Sequence, residues 1–213
     1  MVTCPATLTA ITTSCGSNMG GVREVCIGNF GLANFEYEYQ VVNTLTQDEY
    51  TALDATEQAK YELVDESYVQ YAKDNDGEKV KAAIKSATLE GTEKMKKFAF
   101  REQTASFTQT LQANDNGINF WEQNINLVFA KSESIKRLAI MSLMMGQTQA
   151  IVVDNNKKMW LVGVERPLRM TSGENTTGTA FTDDNAYTIT LACSDTLLAL
   201  PINEEVYNTL VEA

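Results

Sequence analysis

The chain has 213 residues, a formal net charge of −11, 44% hydrophobic residues and no histidine. That length and apolar content allow one sizeable core, while the acidic balance argues against a basic stripe for nucleic-acid phosphates and against adhesion to an anionic membrane. Without imidazole, a single chain cannot build Ser–His or Cys–His nucleophiles, zincin-type centres or His-carboxylate iron sites.

Residues 1–21 are rich in Thr, Ser and Gly and read as an extended N-terminal arm closed by Asn18-Met19-Gly20-Gly21. No positively charged n-region or long apolar h-region marks them as a signal peptide, and no apolar run in the chain is long enough to span a bilayer. Of the four cysteines, Cys4, Cys15, Cys26 and Cys193, no two form a Cys-x-x-Cys pair. They read as free thiols of a reducing cytoplasm rather than a zinc site, with a Cys4–Cys15 disulfide as the alternative. Residues 22–27 alternate as a strand, with Val22, Glu24 and Cys26 on one face and Arg23, Val25 and Ile27 on the other. Phe35-Glu36-Tyr37-Glu38-Tyr39 alternates aromatic and acid, again a strand.

Thr46-Gln47-Asp48-Glu49 is a capping box and Asp54-Ala55-Thr56-Glu57 a looser one, which predicts short helices over 47–53 and 55–60. From Glu36 to Glu78 twelve acids stand against Lys60 and Lys73. The segment 43–78 therefore reads as a small, partly helical, acidic excursion from a β core. Asp74-Asn75-Asp76-Gly77 is a turn; as an EF-hand it fails, because Ala72 and Ala83 would occupy its first and twelfth positions. Residues 80–89 predict a strand, followed by a basic run, Lys94, Lys96 and Lys97, suited to a solvated turn or to a neighbour's acidic excursion.

The dominant pattern is a long, nearly uncharged β-hairpin, with arms over 98–113 and 118–129 and the turn Asn114-Asp115-Asn116-Gly117 between them. Ala105, Phe107, Leu111 and Ala113 share one face with Trp121, Ile125, Leu127 and Phe129 across the turn. The other face carries Thr104, Ser106, Thr108, Thr110 and Gln112, then Glu122, Asn124 and Asn126. Period-2 alternation of this length means strands with one buried face. A monomer ordinarily coats the opposite face and its edges with Lys and Glu. Here Thr104, Ser106, Thr108, Thr110, Gln112, Asn124 and Asn126 form a neutral polar surface, suited to packing against another copy or to lining a channel that must not stick. These seven are the candidate subunit-interface residues.

A helix follows, with Ser132 as its cap, Ile135, Leu138, Ala139 and Leu143 on its core side, Met141, Met144 and Met145 as core filling, and Gly146 at its end. A second hairpin pairs 150–153 with 159–163 around Asp154-Asn155-Asn156-Lys157-Lys158. Residues 171–180 read as a mobile Gly/Thr/Ser loop, and 187–192 as a strand with Tyr187, Ile189 and Leu191 on one face. A string of strands with one packed helix predicts a β-sandwich or barrel with a helix on its flank.

Chemical motifs are sparse. There is no Gly-x-Gly-x-x-Gly, no Walker loop and no Ser-x-x-Lys. Glu36 and Glu38 would stand roughly 7 Å apart on a strand, but any such acid pair does, and a solvated acidic face is the simpler account. No catalytic, cofactor-binding or metal residue is assigned, and the chain is expected not to be an enzyme.

Phe98-Ala99-Phe100-Arg101-Glu102-Gln103-Thr104-Ala105-Ser106, Gly117-Ile118-Asn119-Phe120, Asn126-Leu127-Val128-Phe129, Asp154-Asn155-Asn156-Lys157 with Trp160-Leu161-Val162-Gly163, and Cys15-Gly16-Ser17-Asn18-Met19-Gly20-Gly21-Val22-Arg23-Glu24-Val25 together resemble tail tube and tail-ring virion proteins of Bacteroides phages, the crAss-like group above all. The resemblance covers 1–30 and about 90–192. It implies one tail-tube-like domain over 1–213: a mainly β sandwich or barrel with one flanking helix, a long protruding hairpin and the acidic excursion. It implies a structural virion protein made in the host bacterial cytoplasm, whose hairpin joins copies into a six- or twelve-fold ring. Its partners would be other tail or portal proteins, and genomic DNA would pass through without specific binding. A head-to-tail adaptor or capsid-associated protein, and a carbohydrate-binding β-sandwich of a tail fibre, are the alternatives.

Overall fold

The computed structural model describes residues 19–73, 77–113, 119–180 and 185–212. The predicted turn at 114–117, most of the turn at 74–77, the arm before Met19, and Cys4 and Cys15 lie outside them. The fold is mainly β. In chain order its elements are β1 (Val22–Asn29), β2 (Ala33–Tyr39), β3 (Val41–Leu45), α1 (Gln47–Thr51), α2 (Ala55–Gln58), β4 (Glu62–Val64), β5 (Ser67–Tyr71), β6 (Lys81–Leu89), β7 (Lys96–Phe98), β8 (Ser106–Ala113), β9 (Asn119–Ala130), α3 (Ser134–Met145), β10 (Thr148–Asp154), β11 (Met159–Val162), β12 (Arg169–Thr176), β13 (Ala186–Asp195), β14 (Leu200–Pro201) and α4 (Glu204–Leu210).

The chain forms two compact units. One is Tyr37–Ala83, which contains the expected acidic excursion; the other combines Asn18–Glu36 with Ile84–Ala213. In the smaller unit the sheet order is β3-β5-β4. The capping box at Thr46 and Glu49 is made, and Asp54 caps α2 by accepting from the Thr56 and Glu57 amides. Val69 is its only buried residue among those described. Tyrosines take the place of an aliphatic core: Tyr50 stacks on Tyr68 at 3.6 Å, and the Lys79 ammonium, 2.6 Å from Glu62, lies over the Tyr71 ring.

The larger unit is a sandwich. One sheet runs β14-β11-β10-β1-β7 and the other β12-β13-β9-β8. Both contribute to one core, with Val25, Ile27, Ala150 and Val152 from the first and Ile125, Leu127, Ile189 and Leu191 from the second. A bulge at Arg23 changes the predicted faces of β1: Val22 joins Val25 and Ile27 in the core, and Glu24 and Cys26 point the other way. On that outer side α4 is latched down. The Tyr207 hydroxyl donates to Glu24, Lys97 Nζ lies 3.0 Å from the same carboxylate, and Cys26 Sγ donates to it at 3.4 Å.

Four further expectations are corrected. The first hairpin arm does not begin at 98: β7 pairs with β1, Phe98 opposite Val25, and strand pairing with β9 begins only at Ser106. The hairpin is not free-standing, because β13 pairs with β9 from Trp121 to Ala130. Residues 171–176 are strand rather than loop, held by β13. The α3 helix begins after Glu133, and the Ser132 hydroxyl bonds Asn175 instead of capping it.

The side that α3 turns inward also differs from expectation. Leu143 enters the core, with Ile140 packed against it, whereas Ile135, Leu138, Met141, Met144 and Met145 are exposed. The helix is apolar almost all round, and such a pattern does not select its buried side. Among the described residues no helix is long and apolar enough to cross a membrane.

Candidate functional site

The β8–β9 pair is in the register that the alternation requires, with Ser106 opposite Asn126, Thr108 opposite Asn124, Thr110 opposite Glu122 and Gln112 opposite Phe120. Six of the seven candidate residues therefore share the outward face of one sheet: Ser106, Thr108, Thr110, Gln112, Asn124 and Asn126. Thr104 does not join them. It sits in the turn before the strand, its hydroxyl donating to the Arg101 carbonyl at 2.7 Å.

The face is wider than the hairpin. β13 adds Thr190 beside Asn126 and Ser194 beside Glu122, and β12 adds Ser172 beside Thr190. Sequence reasoning stopped at the hairpin, although the pattern that turns Tyr187, Ile189 and Leu191 inward already turns Thr188 and Thr190 outward. Side chains are paired along this surface. Asn126 Nδ2 donates to Ser106 Oγ at 3.1 Å, the Thr190 hydroxyl donates to Asn126 Oδ1 at 2.8 Å, and Gln112 Nε2 donates to Glu122 at 2.9 Å. Glu122, Arg169 and Glu174 are the charged residues among the outward positions of the four strands.

Beneath the face, buried polar groups fix the strand ends. Gln123 Nε2 donates to the Leu197 carbonyl at 2.6 Å, and Gln109 Oε1 accepts from the Ala199 amide at 2.7 Å. The buried Asp195 carboxylate accepts from the backbone amides of Glu165, Arg166 and Leu197. These bonds satisfy groups that would otherwise be costly to bury. They hold the 197–199 segment against the inner side of β8 and β9.

Among the described residues β8 is an edge strand, with β9 its one neighbour in the sheet. Its eight residues, SFTQTLQA, carry no charge and no proline. β12 is the opposite edge of the same sheet. An uncharged, regular edge is a template for pairing with another chain, and proteins that stay monomeric usually blunt it.

Groups able to do chemistry are dispersed. Glu36 and Glu38 are exposed on β2, and Glu36 accepts from the Ser86 hydroxyl at 2.8 Å. Burial pushes the Cys26 and Cys193 thiols up to about 12, which leaves them poor nucleophiles. Among the described residues no three His, Cys, Asp or Glu side chains group as metal ligands. A cleft of about 580 Å³ beside β1 is lined by Asn29, Glu93, Lys96, Phe98 and Leu143, a mixture of charges and apolar groups without a converging catalytic set. No protein-family model, curated protein or solved structure matches the chain.

Proposed function

We propose that this chain is a structural virion protein of a tailed bacteriophage, assembling into rings that form the tail tube or tail barrel through which DNA passes. The observation that carries the reading is the β12-β13-β9-β8 sheet, whose outward face is largely uncharged and hydrogen-bonded and whose β8 edge is uncharged. β8 of one copy would pair with β12 of the next, so that closure of the ring removes both edges. The neutral face would then line the lumen. With a net charge of −11 the assembly would repel phosphates, letting DNA slide without binding.

Electron microscopy of the purified chain, alone and with neighbouring virion proteins, tests the reading. Closed rings with a central channel are the expected result. A well-folded monomer under every condition contradicts it. A head-to-tail adaptor would use the same contacts, and its position in the virion, at the portal rather than along the tail, separates the two.

A further inference from the structure

We infer that the β4–β5 turn of one copy docks into the cleft beside β1 of another copy. The inference rests on the ring reading above and adds a second contact to the joint. The cleft lies wholly within the larger unit and encloses about 580 Å³, an ordinary size for a binding pocket. Leu32, Phe98 and Leu143 give it apolar walls, and Lys94 and Lys96 stand among them.

The structure separates the lysines of the basic run. Lys97 is engaged by Glu24 at 3.0 Å. Lys94 and Lys96 are exposed and bond no partner among the described residues. Two carboxylates share the cleft. Glu93 accepts from Asn29 Nδ2 at 3.1 Å, and Glu212 is exposed at the C-terminal side. Neither forms an ion pair with Lys94 or Lys96, so both ammoniums are open to a carboxylate from outside.

The same sorting of the acids in the smaller unit identifies the occupant. Glu49 and Asp54 are held in helix caps, Glu57 pairs with Lys60 and Glu62 with Lys79. Asp65 and Glu66 are exposed and bond nothing among the described residues. They make the two-residue turn between β4 and β5, at φ 44° and 66°, which ends that hairpin in a narrow tip. Leu63, 63% exposed, and Val64, 37% exposed, come immediately before them. The tip thus offers two apolar side chains and two open carboxylates, and the cleft offers apolar walls and two open ammoniums. A tip and a cleft are different surfaces, so their contact is heterologous, the kind that generates rings.

Charge reversal tests the contact. Asp65→Lys with Glu66→Lys reverses the tip, and Lys94→Glu with Lys96→Glu reverses the cleft. All four side chains are exposed, and Lys131 and Lys157 already hold lysine at φ 64° and 63°, so each protein keeps the wild-type melting curve. In mass photometry each variant alone should need at least about tenfold more protein than the wild type to reach half assembly. Mixed in equal amounts, the two should assemble at the wild-type concentration, because each lysine tip meets a glutamate cleft on the other variant and each acidic tip a lysine cleft. A contact made within one copy gives no such rescue. Variants that assemble as readily as the wild type overturn the inference, and so does a mixture that assembles no better than its components; in both cases wild-type rings leave the ring reading standing. A wild type that never oligomerises overturns both.

Discussion

Asn126 donates from its side-chain nitrogen to the Ser106 hydroxyl at 3.1 Å, across the β8–β9 pair. Its oxygen accepts from Thr190 on the other side, so one carboxamide ties three strands together on a face that carries almost no charge. Asn126→Ala removes both bonds and leaves two hydroxyls to find water. The expected loss is about 1–2 kcal/mol in urea unfolding. Because the face stays neutral, rings should still form.

The latch under α4 predicts a pH dependence. Burial acts to raise the Glu24 carboxyl, but hydrogen bonds from Tyr207, Lys97 and Cys26 together outweigh it and hold the group below its ordinary range. A depressed carboxylate contributes stability that is present above its unfolded pKa, near 4.5, and is lost as pH falls through the lower folded value. Thermal melts from pH 6 downward should therefore show Glu24→Gln converging on the wild type as pH falls below that unfolded value.

The same latch loses its strongest donor in Tyr207→Phe. Hydrogen bonds to charged groups are worth roughly 1.5–3 kcal/mol, and the substitution should cost about 2 kcal/mol. Burial comes first among the causes that raise the Tyr207 hydroxyl above its ordinary range, followed by its bond to Glu24. Its contribution is complete below the unfolded value near 10 and declines as pH rises above it. Guanidinium titrations at neutral and alkaline pH measure both effects.

Gly28 in β1 lies close against Met95. A Cβ there would meet Met95 Cγ at 2.7 Å and the Met95 backbone at 3.3 Å. Gly28→Ala should destabilise by about 1–3 kcal/mol, since overpacking moves a fully buried side chain. Chemical denaturation checks it.

Met19 and Gly20 are held by two side chains. Asn155 Nδ2 donates to the Gly20 carbonyl at 2.7 Å, and Asn156 bonds both the amide and the carbonyl of Met19. Asn155→Ala with Asn156→Ala should speed proteolysis near residue 20 without altering the melting of the sandwich.

The parts of this fold that were legible in the sequence are those where one local period decides the outcome. The alternation in 106–113 and 119–129 placed β8 and β9 and put Ser106, Thr108, Thr110, Gln112, Asn124 and Asn126 on one outward face, since a one-residue slip would have turned Ile125 and Leu127 outward. The capping signals at Thr46 and Asp54 were legible for the same local reason. What failed depends on partners distant in sequence. Phe98 continues the alternation of the hairpin yet pairs with Val25. The Gly- and Thr-rich β12 is a strand only because β13 lies beside it. Ile135 and Leu138, expected on the core side of α3, face outward, because the helix is apolar almost all round and its packing through Leu143 sets the buried side. The α4 helix did carry a local signal that went unused: Asn203, whose side chain accepts from the Val206 amide, followed by Glu204 and Glu205.

In the proposed ring, the uncharged β8 edge is a joint between copies rather than a solvated edge, and the largely uncharged face beside it lines the lumen. The mass distribution of Thr110→Lys beside the wild type, measured at equal concentration, tests it most directly. A lysine on the uncharged strand β8 should leave the monomer folded and its melting unchanged, and should abolish rings that the wild type forms. Rings of unchanged mass from Thr110→Lys would place the joint elsewhere.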